Sequence, residues 1–492
     1  MSPLRLAVIF SLLDKYLGQV LAIGTTAVMA RVLTPTETGL YLVAQAFILL
    51  AENVREFGVN TYLIQAASLK RAHIRTSFTI TMLLSLVMGG AIYLGASAIA
   101  GFYGDPDLVK LLQVAAFGFV VAPFGSPIVS LLKREMDFQT LARVNVSAAV
   151  VASVLTIGLG LMGFGAVSYI WAYVGASVAL AALAFRARPD PGIFRPSLIG
   201  LGQLLSFGTI ATAVTLTNMA YDLLPKLVLG KVIGFDGVGL FTRALTICQL
   251  PDRFVVSGLQ PVVLPAMAER ARNGSDLKKA YLRGHAVMSA VQWPALLMLA
   301  ILADPIVRVL LGAQWGDVPP LVRLLAVAMV ALAPAFMTYP LLVSAGRIRY
   351  TLYASLLSLP PSAAILILAA PHGLTAVATS ALVTSPMQML VSLFFIRRAI
   401  GLNGRDLVRA SAASLGISGA TLAIPVVIVL NSPSGLDLDW SRTVAAIAGG
   451  ALGWAVGLRL SKHPLGDEIL NLWRHALARK PRGGAVTVGR AG

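Results

Sequence analysis

Charged residues fall inside apolar stretches of this chain at a few defined places. Asp14 and Lys15 lie in the first stretch, and Glu52, Arg55 and Glu56 in the second. Further on, Asp222 and Lys226 lie near the end of one run, and Asp252 and Arg253 in the middle of the next. Glu52 and Glu56 are four apart, and Arg55 is three from Glu52, so all three share one helical face. An ionised group at bilayer depth costs about 2.5–3.5 kcal/mol on insertion scales, so it faces a wet cavity or another charge. Bases at that depth can hold an anion that would not cross hydrocarbon by itself, and arginine offers phosphate a bidentate fork. Carboxylates between neighbours can take up a proton or hold Na⁺; Asp14, Glu52, Glu56 and Asp252 are the candidates for such a coupling ion. The plainer alternative is a set of ion pairs locking helices 1, 2 and 8, with Lys226 at the outer interface.

Elements that hold these residues follow from composition. Of 492 residues, 57% are hydrophobic and only 12% charged, with mean hydropathy +0.81. A soluble domain carries about 25% charged residues. The apolar runs cover the whole length, and a bilayer helix needs about 20 such residues. Fourteen spans are expected, over 5–29, 39–60, 77–100, 108–132, 142–163, 166–185, 202–221, 239–264, 285–303, 318–344, 350–370, 374–396, 408–430 and 441–460. Helix is the form such runs take in lipid, where each must satisfy its own backbone hydrogen bonds. The fold class is therefore an all-α integral membrane protein. The opening run is read as a first transmembrane helix; it is about twice the length of a signal-peptide core and contains Asp14 and Lys15.

The formal charge of +18 is carried by loops. With the amino terminus inside, 28 of the 39 Lys and Arg fall in cytoplasmic segments. Clusters such as Lys70-Arg71, Lys133-Arg134 and Arg397-Arg398 alternate with nearly base-free outer loops such as 101–107 and 431–440. That alternation places both termini in the cytoplasm. It also assigns the basic charge to anionic lipid headgroups and excludes a nucleic-acid partner. The single cysteine, Cys248, excludes an internal disulfide.

The stretch Arg31-Val32-Leu33-Thr34-Pro35-Thr36-Glu37-Thr38-Gly39-Leu40-Tyr41 has an echo 200 positions on, Lys231-Val232-Ile233-Gly234-Phe235-Asp236-Gly237-Val238-Gly239-Leu240-Phe241. Six spans separate the copies, so the repeat is parallel, about an axis along the membrane normal. The expected organisation is an amino-terminal lobe over 1–185 and a linker over 186–200. A second lobe follows over 201–400, with two additional helices over 401–461 and a basic tail over 462–492. Prolines such as Pro123, Pro127, Pro334 and Pro340 interrupt several spans. Each removes a helical donor; bent helices lining a cavity, or ordinary membrane packing, would both use them.

Ala30-Arg31-Val32-Leu33-Thr34-Pro35, Gly39-Leu40-Tyr41, and Phe57-Gly58-Val59 leading to Leu63-Ile64-Gln65 resemble the opening of the bacterial oligosaccharide-lipid flippases. These are the O-antigen and exopolysaccharide exporters of the multidrug/oligosaccharidyl-lipid/polysaccharide superfamily. The resemblance implies that an undecaprenyl-pyrophosphate-linked sugar repeat crosses from the inner to the outer leaflet of the cytoplasmic membrane by alternating access between two lobes. A Na⁺ or H⁺ gradient is the implied drive, with membrane lipids and polysaccharide polymerase or assembly proteins as partners, and no catalytic motif or bound cofactor. For such a pyrophosphate the candidate cations are Lys15, Arg55, Arg253 and Lys226. The charged Glu52–Glu56 stretch departs from the family, where a more apolar run is typical. Two other readings stay open: an exporter of a drug or other amphiphile, and a membrane polysaccharide polymerase or ligase. The last needs a sizeable outer catalytic loop, and the longest expected is about 18 residues, after Asp222. Gly158-Leu159-Gly160-Leu161-Met162-Gly163 matches a dinucleotide fingerprint without its strand, and reads as helix packing. Asp437-Leu438-Asp439 sits in a short outer loop, and the five histidines are too scattered for a metal site.

Overall fold

Thr34-Pro35-Thr36-Glu37 starts a helix by a capping box. The Thr34 hydroxyl accepts from the Glu37 N–H at 3.2 Å, and the Glu37 carboxylate accepts from the Thr34 N–H at 2.9 Å. Pro35 occupies the first helical position, where its missing donor costs nothing. This computed structural model describes residues 3–66, 68–253 and 276–461, with Met267, Glu269, His463, Leu465 and Gly466. The expected tail over 462–492, the second half of the span 239–264, and Arg270 and Arg272 lie essentially outside the described residues.

The described elements are helical throughout. In chain order they are α1 (Pro3–Val32), α2 (Pro35–Glu56), α3 (Val59–Gln65), α4 (Arg71–Tyr103), α5 (Asp107–Arg134), α6 (Phe138–Leu161), α7 (Val167–Ala187), α8 (Leu201–Val232) and α9 (Phe235–Cys248). There follow α10 (Leu277–Ile301), α11 (Ala303–Leu310), α12 (Val318–Val330), α13 (Thr338–Ser344), α14 (Arg349–Ala369), α15 (Leu374–Ile400), α16 (Gly404–Leu430) and α17 (Trp440–Leu460). Among the described residues nine helices are long and apolar enough to cross a bilayer; Val318–Val330 with Ala333–Ser344, bent by 53°, makes a tenth.

Four expectations change at this level. The second span ends at Glu56 instead of residue 60, because Phe57 and Gly58 take left-handed backbone (φ 41° and 65°) and start the short α3. The span expected over 202–221 continues to Val232 through Pro225, so the 18-residue outer loop after Asp222 does not exist; Ile233-Gly234 alone makes the turn. The helix that follows begins at Phe235 instead of residue 239, and after Cys248 helical backbone resumes over 250–253. The span 318–344 is broken around Pro334.

The chain forms two compact units. The first comprises the described residues within Met1–Leu245, Val307–Leu321 and Ser362–Ser380; the second those within Thr246–Ile306, Val322–Pro361 and Ala381–Gly492. In the first unit α1 packs on α6, α5 on α4 and α7, and α2 on α8. The linker 186–200 is docked along α4. Arg71 donates to both Asp190 oxygens at 2.7 and 2.9 Å, Arg75 to the Gly192 carbonyl at 2.8 Å, and the Thr76 hydroxyl to the Ile199 carbonyl at 2.8 Å. The Arg71 hydrogen bond, with the Gly192 N–H, holds the Asp190 carboxyl below its ordinary value. A depressed carboxylate stabilises the docked form above the unfolded pKa of about 3.9, and that contribution is lost as pH falls through the depressed value. Hydrogen exchange over residues 190–196, corrected for intrinsic rates, should therefore stay flat from neutral pH to about pH 4 and rise below it. Arg71→Gln should raise exchange already at neutral pH and shrink that rise, because the main cause of the depression is gone.

In the second unit α10 and α17 pack on α16. The α16–α17 contact is made by Gly449, Gly453 and Gly457, four residues apart. A Cβ on Gly453 would lie 2.1 Å from the Ala420 carbonyl oxygen. With no hydrophobic drive between helices in lipid, such close backbone approach is what holds them.

Candidate functional site

The repeated sequence word becomes a repeated structure. α1 ends at Val32 and α2 begins at Pro35; α8 ends at Val232 and α9 begins at Phe235, the same 200-residue offset. The two copies then cross backbone to backbone. A Cβ on Gly39 would lie 1.7 Å from the Phe235 carbonyl oxygen and 3.1 Å from the Gly239 nitrogen. A Cβ on Gly239 would lie 2.2 Å from the Pro35 oxygen and 3.4 Å from the Gly39 nitrogen. The contact is reciprocal, as a local two-fold requires. The segment after α11 closes over it: Trp315 is fully buried and donates its indole N–H to the Ala30 carbonyl at 2.7 Å, and Gln314 donates to the Leu33 carbonyl at 2.9 Å. These donors satisfy carbonyls that the end of α1 leaves open.

A polar column runs along α2 from this crossing. Tyr41 stacks on Tyr169 of α7 (centroids 4.1 Å apart, planes at 13°). Gln45, one turn on, donates to the Tyr41 hydroxyl at 2.7 Å and accepts from Lys226 of α8 at 3.3 Å. Arg243 of α9 is buried, with its guanidinium 5.8 Å from the Trp315 ring centre, and its Nε has no hydrogen-bond partner. Further along α2, Glu52 accepts from the Tyr173 hydroxyl at 2.8 Å. Arg55 lies 3.9 Å from Glu52 and 5.8 Å over the Phe119 ring; it is 6% exposed, and its Nε and Nη1 have no partner. Two guanidinium groups are thus enclosed in the first unit with donors left over. An anion with several acceptor oxygens is the group those donors suit.

The other sequence candidates have separate settings. Asp14 accepts from Asn145 of α6 at 2.9 Å, and Lys15 beside it is exposed. Glu56 is exposed, off the Glu52–Arg55 pair. Lys226 lies inside α8, half-buried on Gln45, where the sequence suggested an outer interface. Asp222, one turn earlier, is exposed. Asp252 and Arg253 belong to the second unit, where Asp252 accepts from Gln292 at 2.7 Å and Arg253 donates to Gln249 at 3.2 Å. Sequence reasoning missed Arg243, Tyr169, Tyr173 and Gln45. Arg243 was visible as a lone base in an apolar run; the tyrosines carried no signal, since nothing in the sequence shows which face of α7 meets α2.

Nine membrane-length apolar helices among the described residues, a broken tenth span and a buried polar column define a multi-pass membrane protein with the fold of transporters. The fold matches the lipid II flippase MurJ in an inward closed conformation (TM-score 0.72, 14% identity, 96% of this chain and 100% of that chain). It also matches an inward-facing multidrug resistance MATE family transporter (TM-score 0.62, 18% identity, 78% and 94%). Residues 28–320 match the polysaccharide biosynthesis protein family, and the chain belongs to that family. Relatives include the lipopolysaccharide biosynthesis protein WzxC of Escherichia coli K12, 24% identical over 454 residues, 90% of each chain. The succinoglycan biosynthesis transport protein ExoT of Rhizobium meliloti is 24% identical over 329 residues, 66% of this chain and 65% of that protein. The family drawn from Arg31 to Gln65 in the sequence is the one found.

Proposed function

We propose that this protein is a flippase for a polysaccharide precursor. Its substrate is an undecaprenyl-pyrophosphate-linked oligosaccharide, carried from the inner to the outer leaflet of the bacterial cytoplasmic membrane. The observation that carries this reading is Arg243, a buried guanidinium with a donor left over near Tyr169 and Lys226, with a second such guanidinium, Arg55, further along α2. Diphosphate needs cationic donors to leave water, and sugar rings suit tyrosine faces and hydroxyls. Arg253 and Lys15 remain secondary cation candidates. WzxC, ExoT and MurJ are named for lipopolysaccharide biosynthesis, succinoglycan transport and lipid II flipping, and a lipid-linked sugar is chemistry consistent with all three. We place both termini in the cytoplasm from the alternation of basic loops, and take the two lobes as rocking about the Gly39–Gly239 crossing, which then lies at the outer side. Asp14, Glu52, Glu56 and Asp252 remain the candidates for the coupling ion, Na⁺ or H⁺. Partners on this reading are membrane lipids and polysaccharide polymerase or assembly proteins, and the chain itself catalyses no reaction.

Deleting the gene in the source bacterium tests the reading. Lipid-linked oligosaccharide should accumulate on the cytoplasmic leaflet and surface polysaccharide should be lost. Normal surface polymer without lipid-linked build-up would move the function to export of another amphiphile. Complete repeat units stranded on the outer leaflet would point to a polymerase instead.

A further inference from the structure

The second unit holds a buried polar ladder. Along α10, Tyr281, His285, Ser289 and Gln292 recur at helical spacing, and all four are buried. Ser289 donates to Ser414 of α16 at 2.9 Å, and His285 Nε2 lies 2.9 Å from the Ser411 hydroxyl. The Tyr281 hydroxyl donates to the Pro334 carbonyl at 2.8 Å. At the far end the Gln292 amide donates to Asp252 Oδ1 at 2.7 Å.

Two atoms of this ladder are buried without a hydrogen bond: Gln292 Oε1 and His285 Nδ1. Gln292 Oε1 is an acceptor, so it lacks a donor. The amide already faces Asp252 through its N–H. A carboxylate can only accept, whereas a carboxylic acid opposite an amide makes two parallel bonds, N–H to carbonyl oxygen and O–H to amide oxygen. A protonated Asp252 can supply such a donor. His285 has a different setting, beside the Ser411 hydroxyl and the Ala333 backbone. The Ser411 hydroxyl can donate to Nε2 or accept from it, so the ring keeps a partner in either charge state.

We propose that Asp252 and Gln292 form a proton-binding site, with His285 two helical turns along the same face as a second proton acceptor, so that the ion coupled to transport is H⁺. The inference rests on the transporter reading above for its purpose, but not for its chemistry: a proton on Asp252 would supply the donor that Gln292 Oε1 lacks. Charged neighbours leave Asp252 in this role. Arg253 beside it donates to Gln249, Lys278 of α10 is paired with Asp406 of α16 at 2.6 Å, and Arg323 of α12 is paired with Asp304 of α11. On α16 Arg405 and Arg409 are exposed and no charged residue follows them; on α10 Lys279 is paired with Asp276 and Arg283, near the helix start, is exposed; on α17 Arg442 is paired with Asp439. Sodium fits poorly here, because the ligands at hand include an amide N–H and an imidazole where a hard cation takes oxygen.

Infrared difference spectroscopy on the purified full-length protein in lipid tests this without any substrate. Stepping the pH across about 5 to 9 should show a protonated-carboxyl C=O band that grows as pH falls and is absent in Asp252→Asn. In Gln292→Leu the band should persist at a different frequency and titrate at a different pH, because the amide partner is gone. Histidine ring bands should lose one titrating component in His285→Gln. A wild-type-like band in Asp252→Asn, or a band in Gln292→Leu unchanged in frequency and midpoint, would overturn the proposal. Each variant is checked for a wild-type-like melting profile in the same lipid; should Asp252→Asn fail to fold, Gln292→Leu decides alone. Failure here leaves the flippase reading standing, since that reading fails only in the deletion strain.

Discussion

Gly39→Ala is expected to abolish most export while Gly95→Ala is silent. The two substitutions add the same methyl group to a membrane helix. At Gly95 nothing lies within 4 Å of the new carbon, and helix propensity favours alanine by about 0.5–1 kcal/mol. At Gly39 the carbon would fall 1.7 Å from the Phe235 carbonyl oxygen, which is main chain and cannot rotate aside. α2 and α9 must part instead. Overpacking of this kind costs about 1–3 kcal/mol and sometimes more, which outweighs the propensity gain. A bias of that size shifts a two-state equilibrium about 5- to 150-fold. Gly239→Ala should act in the same direction, since its carbon meets the Pro35 oxygen at 2.2 Å. With Cys248 replaced by serine and a cysteine introduced at Thr36, labelling from outside intact cells should quicken by about fivefold or more in Gly39→Ala. Labelling and export both equal to those of Gly95→Ala would mean that the crossing opens freely and is no constraint on transport. Protection of Thr36→Cys from outside reagents in every variant would instead sink the orientation proposed for the chain.

Glu52 and Arg55 should give the second large effect, and here a double substitution separates two roles. Removing one member of a buried ion pair costs about 3–5 kcal/mol, because the other charge is left enclosed; replacing both with apolar or neutral groups is often neutral. Arg55 has the more enclosed side chain, 7% exposed against 24% for Glu52. Glu52→Gln should therefore destabilise more than Arg55→Met, where Glu52 keeps the Tyr173 hydroxyl. The Glu52→Gln/Arg55→Met double should recover the wild-type melting temperature. If Arg55 contacts the pyrophosphate, that well-folded double variant still loses export. A hydrogen bond to a charged group contributes about 1.5–3 kcal/mol, so the loss should be one to two orders of magnitude. Wild-type export by a stable double variant would show that the pair locks α2 in place and does nothing to substrate. Arg243→Gln, at the other guanidinium with an open donor, supplies an independent reading of the same site.

Much of the architecture was legible before any coordinate. Apolar runs in lipid must be helices, and basic clusters between them set the expected orientation. The capping box at Thr34 and Glu37 was not read, and it starts the helix at Pro35, ahead of the expected residue 39; the join between the first two helices was legible. So was the echo, whose helix ends recur at Val32 and Val232 to the residue. Boundaries failed where proline and left-handed backbone act: α8 runs through Pro225, and α2 stops at Phe57-Gly58 although the apolar run goes on.

What the sequence by itself determined is what enters the membrane, in which order, and which charges go with it. Tertiary structure alone decided which of those charges meet. Lipid tails are as apolar as a packed interior, so a membrane helix is hydrophobic on its lipid face and its buried face alike, and its rotation is not written in periodicity. Asp14 on Asn145, Glu52 on Tyr173, Lys226 on Gln45 and Asp252 on Gln292 all depend on that rotation. The Gly39–Gly239 crossing does too. Its glycines stood in the repeated word from the start, but only backbone meeting backbone shows why no larger residue fits there.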